Sequence, residues 1–236
     1  MDILAVPGIN NTAATFDGFC RNMPAHHRVI ATNCPALDTV GAIAEALLAE
    51  TSGRSVVLGH SFGGYVALAM LAAAPERIAG VVLVNSNDWA DSDAAAAGRL
   101  NKAKCAEAGE YAVLAAAASA RAYHPDNVGR ADLMEERAAG LIGYGAERYA
   151  AHMRASATRP DSGALLKATE AALLVVSADH DVVIPTEKQT EMAKRIGAEQ
   201  AVLAGAGHML PVEQPKALAR AVANWLDAAF SKNKGQ

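Results

Sequence analysis

The chain has 236 residues, 52% of them hydrophobic, and a formal net charge of −4 at pH 7. This length can build one domain with a large core, and this apolar fraction excludes a disordered chain. The sequence has no basic stripe, which argues against nucleic acid as a partner, and no apolar run long enough to span a membrane.

Location and metal content can also be predicted. The first residues lack the basic and apolar regions of a signal peptide, and the cysteines (Cys20, Cys34 and Cys105) are odd in number and scattered. We therefore expect reduced thiols in a cytoplasmic protein without a membrane partner. The sequence shows neither metal-ligand spacing nor a phosphate-binding glycine loop, so we expect no metal and no cofactor.

Short apolar runs alternate with helical patterns in residues 1–88 and again after residue 168. This alternation predicts strands near 3–6, 29–31, 56–58, 78–84, 172–177 and 200–203. It predicts helices near 40–50, 65–74, 186–196 and 215–230. Thr186 and Gln189 have the spacing of a capping box, which predicts that they cap the helix over 186–196.

Residues 89–168 interrupt the alternation with long alanine-rich stretches. Helices are expected near 93–108, 111–123, 132–142 and 146–157, with breaks near Gly109, Pro125, Gly143 and Pro160. We predict an α/β core made of residues 1–88 and 169–236, with a helical cap, or lid, inserted at 89–168. The core pattern indicates a mostly parallel sheet with helices on both faces and ligands beyond the carboxyl ends of its strands.

The pentapeptide Gly59-His60-Ser61-Phe62-Gly63 stands between a predicted strand and a predicted helix. In that context the G-x-S-x-G pattern indicates a nucleophile elbow, a strained turn that presents the serine at the sheet edge. The flanking glycines fit a turn with little room for side chains. An inactive serine on a glycine-rich turn is the alternative interpretation.

A nucleophilic serine needs a base and an acid that orients the base. Among seven histidines, His208 is the best candidate, because it follows the last strand in a loop with flexible glycines. His152 lies on a predicted helix, and we expect it to be exposed. From the residues alone, Asp179 and Asp181 both qualify as the acid, and Asp88 is a third candidate.

Four pieces of sequence together resemble the α/β-hydrolase superfamily over nearly the whole chain. They are Pro7-Gly8-Ile9, the elbow with Gly64, Asp181-Val182-Val183-Ile184-Pro185, and the stretch from Gly207-His208 to Glu213-Gln214-Pro215. The order Ser61, Asp181, His208 is also that of the superfamily, which favours Asp181 as the acid. Pro7 stands where the family usually has histidine. The chain resembles serine carboxylesterases and, more weakly, 3-oxoadipate enol-lactonases.

The resemblance implies a serine hydrolase with Ser61, His208 and Asp181 as the catalytic triad. It implies that the backbone N–H groups of Phe62 and Ile9 form the oxyanion hole. The expected substrates are water and a small to medium carboxylic ester or lactone, largely uncharged because the cap is rich in small and apolar residues. Alternatives are a cofactor-free carbon–carbon bond hydrolase or lyase, and a non-catalytic ligand-binding protein on the same scaffold. The sequence does not indicate an oligomeric state.

Overall fold

The sheet is the centre of the structure, a computed structural model that describes residues 1–119 and 121–230. Its strands are β1 (Asp2–Val6), β2 (Arg28–Ala31), β3 (Ser55–His60), β4 (Ile78–Val84), β5 (Ala172–Ala178) and β6 (Glu199–Leu203). Their spatial order is β2-β1-β3-β4-β5-β6, and every neighbouring pair is parallel. The predicted α/β fold and its strands are therefore confirmed.

Helices join the strands and cover the sheet. Those outside the β4–β5 connection are α1 (Asp17–Asn22), α2 (Val40–Glu50), α3 (Phe62–Ala73), α9 (Thr186–Ile196), α10 (Leu210–Glu213) and α11 (Pro215–Phe230). The β4–β5 connection holds α4 (Asp93–Cys105), α5 (Tyr111–Ser119), α6 (Ala131–Tyr144), α7 (Ala146–Ala157) and α8 (Gly163–Ala168). No helix within the described residues is long and apolar enough to cross a membrane.

Alternate residues of each strand face opposite sides of the sheet, so two separate apolar layers form. On one side, Leu4 and Val57 belong to a cluster with residues of α2, α3 and α9. On the other side, Ile3 and Val56 belong to a cluster with residues of α1 and α11. Both faces of the sheet are thus covered, as a parallel sheet requires.

The β4–β5 connection is helical, but its bounds differ from those predicted. The break at Gly109 is confirmed, since its φ of 95° requires glycine. The break predicted near Gly143 falls at Gly145, with φ of 80°, and Gly143 itself lies inside α6. Helix α8 was missed, because its six residues are too few to show a helical period.

The predicted capping box at the start of α9 is wrong. Pro185 occupies the N-cap position, and no side chain caps the helix. The Thr186 hydroxyl donates instead to the carbonyl of Ala178 at 2.6 Å. Gln189 is fully buried and bonds to residues outside the helix, so its role is different from a cap.

Candidate active site

Ser61 lies on a strained turn between β3 and α3. Its backbone has φ of 52° and ψ of −117°, a conformation that non-glycine residues rarely adopt. The turn depends on glycine at both flanking positions. A Cβ on Gly59 would lie 2.3 Å from the carbonyl oxygen of Gly63, and one on Gly63 would lie 2.0 Å from that of Val6. The chain can therefore turn this sharply only because Gly59 and Gly63 have no side chain.

A continuous hydrogen-bonded chain joins Ser61 to a buried carboxylate. The Ser61 Oγ lies 2.9 Å from His208 Nε2, and His208 Nδ1 lies 2.9 Å from Asp181 Oδ2. A carboxylate only accepts hydrogen bonds, so the Nδ1 proton faces Asp181 and Nε2 is left to accept from the serine hydroxyl. This arrangement can remove a proton from Ser61 and stabilise the imidazolium that results.

The carboxylate of Asp181 is buried and stays ionised. Its Oδ1 accepts from the backbone N–H groups of Val183 and Ile184, both at 2.9 Å. Burial by itself raises the pKa of Asp181, but the charge of His208 and these hydrogen bonds outweigh burial and hold the pKa below its usual value. Asp181 is thus negative at neutral pH, as a partner of an imidazolium must be.

Gln189 is a site residue that sequence reasoning missed. Its Nε2 donates to Asp181 Oδ2 at 3.1 Å and to the carbonyl of Ile184 at 2.7 Å. Its Oε1 accepts from the hydroxyl of Ser177 at 2.9 Å. These three contacts fix the amide and, through it, the orientation of the carboxylate. The capping-box pattern concealed this role, and no other sequence signal indicates it.

The backbone around His208 is held from three sides. His60 Nε2 lies 2.8 Å from the carbonyl oxygen of His208, and the Asn85 side-chain amide donates to the same oxygen at 3.0 Å. The buried carboxylate of Glu213 accepts from the N–H of Gly207 at 2.8 Å. Glu213 belongs to the motif noted in the sequence, whereas Asn85 and the contact of His60 were not predicted.

Two backbone amides are available beside Ser61. Within residues 1–119 and 121–230, the amides of Phe62 and Ile9 donate no hydrogen bond to the protein, and both residues line the same cavity as Ser61. Phe62 is the first residue of α3, so its N–H has no partner within the helix and carries the positive end of the helix dipole. These amides can bind a negatively charged oxygen.

The loop that carries Ile9 is tied to the β4–β5 connection. Arg137 Nη1 donates to the carbonyl of Asn10 at 2.9 Å and to Asn11 Oδ1 at 3.2 Å. The Tyr111 hydroxyl donates to Asn10 Oδ1 at 3.1 Å. Pro7 replaces the usual family histidine before this loop, and α5 and α6 supply its anchors.

The other candidate residues lie elsewhere. Asp179 is exposed and accepts from the N–H of Ala206, which stabilises a turn. Asp88 pairs with Arg195 at 2.7 Å. The expectation that His152 is exposed is wrong. It is fully buried, stacks on Phe62 at 4.6 Å and bonds to the Pro35 carbonyl, because α7 packs onto the core.

Ser61 and His208 open into a cavity of about 430 Å³. Its lining comes from the sheet edge, the Ile9 loop and the β4–β5 connection. Away from this cavity, His26, His27 and Asp227 form the one group of three side chains in the described residues that could hold a metal ion. This group does not belong to the site described above.

Residues 4–221 match the sequence model of the Alpha/beta hydrolase family. The chain belongs to this family. No protein of curated function matches this alpha/beta hydrolase in sequence.

Solved structures of similar fold include three hydrolases. A thermophilic esterase from Thermogutta terrifontis, solved with malate bound, is 26% identical with a TM-score of 0.90, covering 97% of this chain and 90% of its own. A hydrolase from Pseudomonas aeruginosa is 25% identical with a TM-score of 0.85, and the match covers 95% of this chain and 89% of that hydrolase. An enol-lactonase from Burkholderia xenovorans is 21% identical with a TM-score of 0.83, at 95% and 90% coverage, and supports the fold alone. The family, together with the Thermogutta terrifontis and Pseudomonas aeruginosa structures, supports a hydrolase.

The contacts of Gln189 predict a positioning role that steady-state kinetics can detect. Gln189→Leu should lower kcat about tenfold with little change in KM, because leucine cannot donate to Asp181 and Ile184 and the carboxylate loses its fixed orientation. Gln200→Leu, which removes an amide from β6, is the control and should leave kcat unchanged. An unchanged kcat in a folded Gln189→Leu variant would contradict the role.

Two buried histidines make stability depend on pH. Burial, reinforced by the positive charge of His208, lowers the pKa of His60 to about 3, and burial lowers that of His152 to about 4. Unfolded histidine titrates near 6.5, so below that pH the unfolded chain binds protons that the folded chain does not. The free energy of unfolding should therefore be greatest above pH 6.5 and decrease by up to about 1.4 kcal/mol per pH unit for each histidine as the pH falls.

Urea unfolding between pH 7 and 5 measures this dependence. His152→Gln should make the pH dependence shallower by about one proton. Asn224→Gln changes an exposed residue without a titratable group and should leave the slope unchanged. Equal slopes in the wild type and His152→Gln would show that His152 is not buried in its neutral form.

Proposed function

We propose that this chain is a serine hydrolase that cleaves a carboxylic ester or lactone through an acyl-enzyme. The observation that carries the proposal is the hydrogen-bonded chain from Ser61 through His208 to ionised Asp181. Ser61 and His208 line a cavity that is large enough for a small to medium substrate. The esterase likeness at 26% identity supports the same reaction class.

In the first half of the reaction, His208 Nε2 takes the hydroxyl proton of Ser61 as Oγ attacks the ester carbonyl carbon. Negative charge moves to the carbonyl oxygen, where the N–H groups of Phe62 and Ile9 stabilise it. Asp181 stabilises the imidazolium and holds its orientation. The imidazolium then gives its proton to the departing alkoxide, which leaves as an alcohol, and Ser61 carries the acyl group.

In the second half, water enters the cavity and His208 removes one of its protons. The resulting hydroxide attacks the acyl carbon, and the same two amides stabilise the second tetrahedral intermediate. The bond to Ser61 Oγ breaks as His208 returns the proton to it, which releases the carboxylic acid. With a lactone, the released alcohol and acid belong to one molecule.

The helices between β4 and β5 serve as a cap in this proposal, with residues 89–168 inserted between the two parts of the core. Trp89, Ala118, Ala122, Tyr149 and Met153 all line the cavity, so this segment would set the size and chemistry of the substrate. The three cysteines are free among the described residues, as in the reducing cytoplasm, where we place the protein.

Turnover of p-nitrophenyl acetate and butyrate tests the proposed reaction. Ser61→Ala should lower kcat at least about 10⁴-fold, because the substitution removes the group that forms the acyl-enzyme. The fold should persist, and circular dichroism and thermal unfolding measure this. Ser52→Ala, in an exposed loop, is the matched control and should retain full activity.

The outcome distinguishes the proposal from its alternatives. A folded Ser61→Ala variant with most of its activity would overturn the role of Ser61. A wild type that turns over neither ester nor any lactone of similar size would contradict the ester-hydrolase assignment.

A further inference from the structure

The cavity beside Ser61 is strongly cationic, although the whole chain carries a net charge of −4. Four basic side chains line it and one carboxylate, that of Asp91, opposes them. The basic residues are Arg99, Lys102, Arg137 and Arg159. All four come from residues 89–168, so the segment that would select the substrate supplies the charge. The sequence-based expectation of a largely uncharged substrate does not account for this lining.

Asp91 neutralises only part of this charge. It accepts from Arg99 Nε at 2.5 Å and from Arg159 Nη2 at 2.7 Å, so two guanidinium groups share one carboxylate. Arg159 is also held by the carbonyls of Trp89 and Ser156 and is 5% exposed, which makes it structural. The guanidinium of Arg99 is more accessible and bonds to Asp91 only through Nε, which leaves its two terminal nitrogens available.

Two further cations have no acidic partner among the described residues. Arg137 is buried, and its hydrogen bonds go to a hydroxyl, a carbonyl and an amide oxygen, all neutral. Arginine does not lose its proton at neutral pH, so this charge is uncompensated. Lys102 is exposed and forms no ion pair with a described residue. A buried charge without an oppositely charged partner, such as that of Arg137, is costly, whereas the exposed ammonium of Lys102 is free to bind an anion.

Arg99 and Lys102 lie three residues apart on α4, which places them on one face of the helix. The terminal nitrogens of Arg99 and the ammonium of Lys102 together can bind both oxygens of one carboxylate. We propose that the substrate carries a carboxylate in addition to its scissile ester or lactone, and that Arg99 and Lys102 bind it. The proposal rests on the proposed function, since it names the substrate class of the same site.

Matched ester pairs test the proposal. The monomethyl esters of succinate, glutarate and adipate carry the charge, and the methyl esters of butanoate, pentanoate and hexanoate are neutral and have equal chain lengths. Methanol release gives kcat/KM for each. We expect at least one charged ester to exceed its neutral partner about tenfold or more. This preference should decrease as NaCl rises, because salt screens the attraction.

Variants assign the preference to α4. Lys102→Met should reduce the ratio of kcat/KM between the charged and neutral esters about five- to tenfold, mostly through KM of the charged ester. Lys104→Met removes the same charge from the same helix at an exposed position outside the cavity and should leave the ratio unchanged. An unaltered ratio in Lys102→Met, or an equal loss in both variants, would overturn the proposal.

Binding separates this inference from the chemistry. Calorimetry with Ser61→Ala and monomethyl glutarate measures affinity where no ester can be cleaved. If adding Lys102→Met to the Ser61→Ala variant weakens this affinity, the carboxylate site is supported even if the wild type cleaves no ester. In the opposite outcome, the wild type hydrolyses all the neutral esters rapidly, shows no preference for the charged esters and binds none of them. That result would overturn the carboxylate site but would leave the proposed ester-hydrolase function standing.

Discussion

The buried negative charge of Asp181 is the constraint on which the site depends. A carboxylate can stay ionised away from water only if donors surround it, and here two backbone amides, Gln189 and His208 provide them. The two amides lie in the turn after β5, Gln189 lies on α9, and His208 lies in the loop after β6, so one buried charge holds these three segments together. His208 is thereby held with one nitrogen on Asp181 and the other on Ser61. The strained turn at Ser61 completes the arrangement from the β3 side.

Much of the fold could be predicted from sequence, because the strand and helix rhythms and the glycines at the elbow are local signals. The sequence also pointed to Ser61, Asp181 and His208, and the structure places their side chains in contact; their catalytic roles stay predictions. Gln189, Asn85 and the burial of His152 could not be predicted, since each depends on contacts between distant segments. Gln189 shows most clearly what sequence patterns cannot predict. Its spacing from Thr186 fits a helix cap, but in the structure its amide donates to the buried carboxylate of Asp181, eight residues earlier.

The molecule divides its tasks between the sheet and the helices that follow β4. The sheet edge holds the proposed reacting groups, whereas the helices supply most of the cavity charge and anchor the Ile9 loop through Arg137 and Tyr111. Arg137 belongs to both tasks, because it lines the cavity and bonds to the loop that carries Ile9. The proposed binding of a charged substrate and the proposed oxyanion hole therefore share one residue, Arg137.

The measurement that tests the central claim most directly is covalent labelling by a fluorophosphonate, which reacts with a serine only when a base activates it. Intact mass should increase by one phosphonyl group per chain, and peptide mapping should place that group on Ser61. His208→Gln should abolish labelling, because it removes the base that activates Ser61. A folded wild-type protein that remains unlabelled, or a label on another residue, would contradict the activation of Ser61 by His208 and Asp181.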